Sequence, residues 1–267
     1  MGKELVLQCS GLVRARSLLW LMARREVAAR HAGSIIGVGW VYAQPLLTMA
    51  AYYLVFDVVF GMRLGEGAPT RAVGAFLIVG MLPWMAFCDA VSRGMGSLVE
   101  AGDLLRKNPL PPALFPARAV LASALIFAPL LVLLAVAYAP MNGLRPSLLA
   151  LPLLVAGQVV LALALAWLLS IIAAAVRDTL QVVGFLLSIG VFTAPILFPL
   201  SLFPEAMRPL LWLNPMTPLV QGYQAVLLEG RWPDPVTWLG LGAWLVLTWV
   251  VLQSAVSRSR EQLVDWL

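Results

Sequence analysis

Charge, histidine and cysteine are all scarce in this chain of 267 residues. Only 12% of positions are charged, where a soluble domain carries roughly 25%. The single histidine, His31, has no companion for metal binding and no serine or cysteine arrangement beside it for nucleophilic catalysis. Cys9 and Cys88 stand far apart with no CxxC spacing, which excludes a disulfide framework or a thiolate metal site and leaves two inert thiols. No GxxxxGK[ST] loop occurs, so the chain does not itself cradle ATP. The stretch up to His31 is polar and basic, without a short apolar core and a small-residue cleavage site, so no removable signal peptide is expected. Neither a fixed-period repeat nor a low-complexity tract is visible, and no inverted repeat can be seen. The cations are spread over many short loops, not gathered on one face, which argues against nucleic acid as a partner.

What is abundant is apolar surface. Hydrophobic residues make up 61% of the chain, in blocks close to the roughly 20 residues that cross a bilayer. Reading between charges and Pro/Gly breaks, six spans are expected, near 38–60, 72–92, 116–138, 148–176, 180–201 and 236–256. No stretch outside them is long enough to fold alone, so residues 1–267 read as one membrane domain. Within it, 1–36 form an interface helix and loop, 37–256 a six-span core and 257–267 a tail. An even count puts both termini on one side. Thirteen of the eighteen cations then share that side, including Arg30, Arg106 and Lys107, while Arg63, Arg71, Arg145, Arg208 and Arg231 lie opposite. The positive-inside rule makes the termini cytoplasmic.

Two segments do not read as spans. Residues 10–31 are too charged to span, yet Leu12, Ala15, Leu19 and Met22 recur at helical spacing, which predicts a cytoplasmic amphipathic interface helix. Residues 201–235 are chopped by Pro204, Pro209, Pro215, Pro218 and Pro233, and their short apolar runs predict re-entrant half-helices on the outer face.

Intramembrane chemistry is sparsely equipped. Asp57 and Asp89 are the acidic residues well inside spans, and they fall near opposite faces, poorly placed for a catalytic dyad. Each lies within a turn or two of a helix end and reads as structural. No catalytic residue and no metal site is therefore assigned. Tyr52, Phe56 and Phe60 share one face of the first span at i, i+4, i+8. That stripe suits helix packing or lipid contact, and it also suits a conduit lined by flat rings on which sugars stack.

The stretch RHAGSIIGVGWVYAQP resembles the R-Y-x-G-S-x-L-G-x-x-W-x-x-x-x-P segment of type-2 ABC export permeases that move lipid-linked polysaccharides of O-antigen, capsule and teichoic-acid type. Arg30, Gly33, Ser34, Gly37, Trp40 and Pro45 match, while His31 stands where tyrosine is usual and Ile36 where leucine is usual. RKNPLPP, the Arg177–Asp178 pair, APILFPLSLFPE and LNPMTPLVQGYQAVLLEGRWP are similar to later blocks of that family, in order. The resemblance implies six spans, a homodimer enclosing a channel in the inner membrane, and two copies of a separate ATPase that binds ATP and Mg. This chain would then be no enzyme and hold no cofactor. The resemblance also implies an ATPase-docking helix carrying Arg14, Arg16, Leu19 and Arg24. It further implies a gate helix after the second span, where Glu100, Asp103, Arg106, Lys107, Asn108 and Pro109 read either as a solvated connector or as that gate. Arg25, Arg30, His31, Gly33, Ser34 and Gly37 would meet the substrate pyrophosphate, the arginines through phosphate oxygens and the glycines through close backbone approach, although the positive-inside rule alone also accounts for the arginines. Two other readings compete: export of a small hydrophobic drug, antibiotic or peptide by the same architecture, and a membrane-embedded glycan or lipid transferase.

Overall fold

The computed structural model describes residues 2–30, 33–35, 37, 39–65, 68–108, 110–142, 145–259 and 266. Among them the regular elements are helical, with one isolated β-bridge between Arg63 and Ala72. In order they are α1 (Gly2–Arg14), α2 (Arg16–Ala29), α3 (Gly39–Tyr52), α4 (Val73–Glu100), α5 (Gly102–Lys107), α6 (Leu114–Asn142), α7 (Ala150–Ala175), α8 (Thr179–Gly190), α9 (Arg208–Leu211), α10 (Thr217–Leu227) and α11 (Pro235–Ser259).

Among the described residues, four helical stretches are long and apolar enough to cross a bilayer: Val73–Glu100, Leu114–Tyr138, Pro146–Ala175 and Pro235–Ser259. They match the second, third, fourth and sixth expected spans. The first expected span is helical but divided, since α3 gives way to π-helical turns over Tyr53–Val59. The 14 residues of α3 rise only about 21 Å, short of a ~30 Å hydrocarbon core. The fifth is shorter still. α8 has 12 residues, and the chain turns from Val191 because Pro195 and Pro199 supply no N–H and push the residues before them out of the helical region. The proline-chopped stretch beyond it forms 3-10 turns at Leu200–Leu202 and Glu205–Met207, then α9 and α10.

α4 is the central strut. It packs along α6 and α7 and against α10, burying Phe76, Leu82, Trp84 and Phe87. Its approach to α7 needs a glycine, for a Cβ added at Gly94 would lie 2.5 Å from the Ala166 Cβ. Two buried polar side chains of this core, Tyr223 and Gln158, are matched to each other, as an apolar surrounding demands. The Tyr223 hydroxyl donates to Gln158 Oε1 at 2.9 Å, and Gln158 Nε2 donates to the Pro83 carbonyl at 2.9 Å.

The basic N-terminal segment closes one end of the bundle. It is two helices, not one: helix begins at Gly2, and α1 and α2 meet at Ala15 (φ −91°, ψ 17°). Ala15 and Leu19 still donate backbone hydrogen bonds one turn back at 2.9 Å, so the joint bends the rod without ending it. The expected stripe of Leu12, Ala15, Leu19 and Met22 packs inward on a second apolar cluster built around Leu98, Leu114, Phe115, Trp167 and Leu252.

Candidate functional site

Where α2, α4 and α6 converge at that closed end, they enclose a cavity of about 650 Å³, within the range usual for ligand sites. Helical periodicity builds its walls. Met22, Arg25, Glu26 and Ala29 fall on one stripe of α2, with Arg30 just past its end. Arg93, Ser97 and Glu100 follow one stripe of α4, and α6 adds Arg118 and Ala119. Four arginines face two glutamates, leaving an excess of positive charge.

Two ion-pair systems order these arginines. Arg30 Nη1 donates to Asp89 Oδ2 at 2.8 Å, and Arg93 Nε donates to Asp89 Oδ1 at 2.9 Å. Asp89 is thus the anchor of the site, and its side chain is only 20% exposed. Arg118 lies 3.3 Å from Glu26 and 4.0 Å from Glu100, with its guanidinium 5.4 Å from the centre of the Phe115 ring. The Arg30 side chain is 6% exposed, yet its Nε and Nη2 are buried without a hydrogen-bond partner. Guanidinium donors are rarely left so, because an unmatched buried charge is costly. Burial lifts the Glu26 carboxyl above its ordinary range. Arg118, Arg30 and Arg93 pull it down without cancelling that rise, to which Glu100 adds. The arrangement is suited to receive an anion: fixed forked donors at the edge of an open cavity, partly neutralised by carboxylates that an incoming phosphate can displace.

The sequence-predicted residues distribute as follows. Arg25 and Arg30 line the cavity together. Gly33, Ser34 and Gly37 do not line it. They form an exposed turn in which Ser34 Oγ accepts from the Gly37 N–H at 2.9 Å, with Gly33 and Gly37 at φ 88° and 56°. His31 lies outside the described residues. Arg14, Arg16 and Arg24 are exposed on α1 and α2 beside the exposed Trp20 and Leu21, while Leu19 is half-buried. Glu100, the charged residues Asp103, Arg106 and Lys107, and the neutral Asn108 are exposed on or beside α5. Asn108 ends that helix with extended backbone, its side chain donating to the Leu104 carbonyl at 3.2 Å; Pro109 is outside the described residues. Tyr52, Phe56 and Phe60 stand at the opposite end of the first helical stretch, successive ring centroids 6.3 Å apart, with Phe60 64% exposed. Asp57 sits there too, 3.5 Å from Arg63. Sequence reasoning missed Glu26, Asp89, Arg93 and Arg118 as members of the site. The i, i+4 spacing of Asp89 and Arg93 was the available signal.

Residues 17–228 match the family profile described as ABC-2 type transporter. The chain belongs to that family. This ABC-2 chain is 33% identical over 258 residues to the O-antigen export system permease protein RfbA of Myxococcus xanthus, covering 94% of this chain and 95% of that protein. An RfbA of the same description from Klebsiella pneumoniae is 24% identical over 216 residues, 80% of this chain and 81% of the relative. The polysialic acid transport protein KpsM of Escherichia coli is 22% identical over 240 residues, 89% and 91% of the two chains. The ABC-2 match spans α2, α4 and α6 and so includes every wall of the basic cavity.

Proposed function

We propose that this chain is the channel-forming permease subunit of an ATP-driven exporter of a lipid-linked polysaccharide of O-antigen or capsule type. The relatives that span nearly its whole length are polysaccharide export and transport proteins by name. In this reading the chain is one domain of six spans, with residues 39–59 and the α8 region joining the four long helices. Both termini are cytoplasmic in the inner membrane. Two copies form the channel, and each docks an ATPase subunit on the exposed arginines of α1 and α2. ATP and Mg belong to that partner, and α5 is the gate at the cytoplasmic mouth. The aromatic stripe of Tyr52, Phe56 and Phe60 lines the sugar path.

The observation that carries the reading is Arg30, a buried guanidinium with two unspent N–H directions beside a basic cavity. The positive-inside rule assigns that end of the bundle to the cytoplasm, where a lipid-linked glycan presents its pyrophosphate at headgroup depth. Arg25 and Arg30 bind phosphate oxygens there, and Arg93 and Arg118 extend the same field; Gly33, Ser34 and Gly37 border the approach. The test uses the permease–ATPase complex in lipid nanodiscs with two probes, a polyprenyl-pyrophosphate glycan and the uncharged polyprenol. The pyrophosphate probe stimulates ATP hydrolysis, polyprenol does not, and Arg30→Gln removes the stimulation while the complex stays assembled. Equal response to both probes contradicts the assignment.

A further inference from the structure

A second polar cavity lies at the other end of the bundle, where the sequence offered no candidate binding residue. It measures about 180 Å³, between α10, the 3-10 turn at Leu200–Leu202 and the turn that leads into α11. Its lining is hydrogen-bonding throughout one side: Ser201, Gln221, Glu229, Arg231, Asp234 and Thr237. Gln221 Nε2 is buried with no hydrogen-bond partner, whereas its neighbour Gln224 spends its amide on the Pro195 carbonyl at 2.7 Å. An orphaned amide facing a polar cavity is a group waiting for an acceptor.

The walls are held in place. Arg231 pairs with Glu229, and its Nη1 donates to Asp234 Oδ1 at 2.7 Å. Ser147 Oγ donates to the Gly230 carbonyl at 3.1 Å, and Gly230 takes φ 64°, with the Arg145 guanidinium so close that a Cβ there would lie 3.0 Å from it. These ties fix the turn before any ligand arrives.

The charge pattern selects the ligand. Arg231 offsets one of the two carboxylate charges and the Arg145 guanidinium beside Gly230 brings a second cation close, so little net charge remains and neither a cation nor a phosphate is favoured. What remains is a mixture of carboxylate acceptors, hydroxyls that both donate and accept, and one free amide donor, which suits a neutral molecule bearing many hydroxyls. The cavity is smaller than the 300–1,000 Å³ of drug-sized sites and fits one ring-sized unit. Trp232, half exposed in the same turn and 6.4 Å from the Trp238 ring, offers a flat apolar face next to it.

We propose that this cavity is a subsite for a single neutral sugar unit of the exported chain at the outer end of the permease. The proposal rests on the polysaccharide reading above, and its test separates the two. The permease–ATPase complex in nanodiscs is titrated with oligosaccharides released by mild acid from the surface polysaccharide of the same cells, free of lipid and pyrophosphate, and binding is read by saturation-transfer NMR. The wild type binds them. Gln221→Leu, which keeps the bulk and removes the amide, and Ser201→Trp, which fills the cavity from an exposed turn without touching the core, each weaken binding about tenfold. Unchanged affinity in both variants, alongside ATP-driven transport of the lipid-linked glycan, overturns the subsite and leaves the exporter reading standing. Absence of transport by the wild type overturns the exporter reading and the subsite with it. Displacement by glycerophosphoethanolamine but not by the oligosaccharides identifies a lipid headgroup site and also overturns the proposal.

Discussion

Replacing Asp89 by asparagine removes the only carboxylate among the described residues within ion-pair distance of the Arg30 guanidinium while keeping the shape of the side chain. Breaking a buried pair by deleting one partner costs about 3–5 kcal/mol, because the other charge is left unmatched. Asp89 is 20% exposed and its partners Arg30 and Arg93 line an open cavity, which selects the low end, about 3 kcal/mol. The asparagine oxygen still accepts one hydrogen bond, worth about 1 kcal/mol, so Asp89→Asn is expected to cost about 2 kcal/mol. Arg30→Gln is milder, about 1 kcal/mol, because Asp89 keeps Arg93 at 2.9 Å. The double variant then loses less than the two singles together, since the pair is in direct contact. Thermal unfolding of the purified complex reads this out, with Asp89→Asn lowering Tm by roughly 4–8 °C. A shift under about 1 °C, or full additivity in the double variant, refutes the idea that Asp89 holds Arg30 in place.

Three further outcomes are expected. Glu26 has its carboxyl pKa raised by burial, so its contribution to stability is full below the ordinary carboxylate range and is lost as pH climbs through the raised value; Arg118, Arg30, Arg93 and Glu100 are the charges facing it. The complex therefore gains stability on mild acidification relative to Glu26→Gln, and parallel Tm-against-pH curves for the two would exclude that role. Arg106→Glu with Lys107→Glu changes two exposed positions on α5, where surface substitutions usually shift stability by no more than about 0.5 kcal/mol. Assembly persists while export falls or ATP hydrolysis becomes uncoupled from it, and normal export with normal ATP consumption makes α5 a solvated connector. Substituting leucine at Tyr52, Phe56 and Phe60 removes ring contacts worth about 0.5–1.5 kcal/mol per pair and reduces export more than stability; lost stability with unchanged export assigns the stripe to packing.

Hydropathy made the four long helices legible, because a run of twenty apolar residues has one cheap solution in lipid. The first and fifth expected spans were less legible for a local reason. Apolar content does not reveal that Tyr53–Val59 winds as π-helix, nor that the chain beyond Gly190 turns ahead of Pro195. The candidate site divided in the same way. Arg25 and Arg30 were visible as a basic cluster beside the first span, but their setting depends on contacts across long separations, Arg30 to Asp89 being 59 residues apart and Glu26 to Arg118 bridging α2 and α6. Asp89 read as an intramembrane acid within a turn or two of a helix end, whereas α4 runs about three turns beyond it to Glu100. Its role as a counter-charge needed the neighbouring helix. The sugar-sized cavity at the far end was invisible for the same reason, being assembled from a 3-10 turn, α10 and a tight turn at Gly230.

The most direct measurement is transport itself. Purified permease and its ATPase, reconstituted into proteoliposomes with a polyprenyl-pyrophosphate glycan on the ATPase-bearing face, should deliver the glycan to the opposite face only with ATP. Arg30→Gln, with its buried guanidinium gone from the basic cavity, should hydrolyse ATP at the basal rate and deliver little or none. Delivery by Arg30→Gln at the wild-type rate, or a wild-type complex that moves no glycan with ATP present, would contradict it.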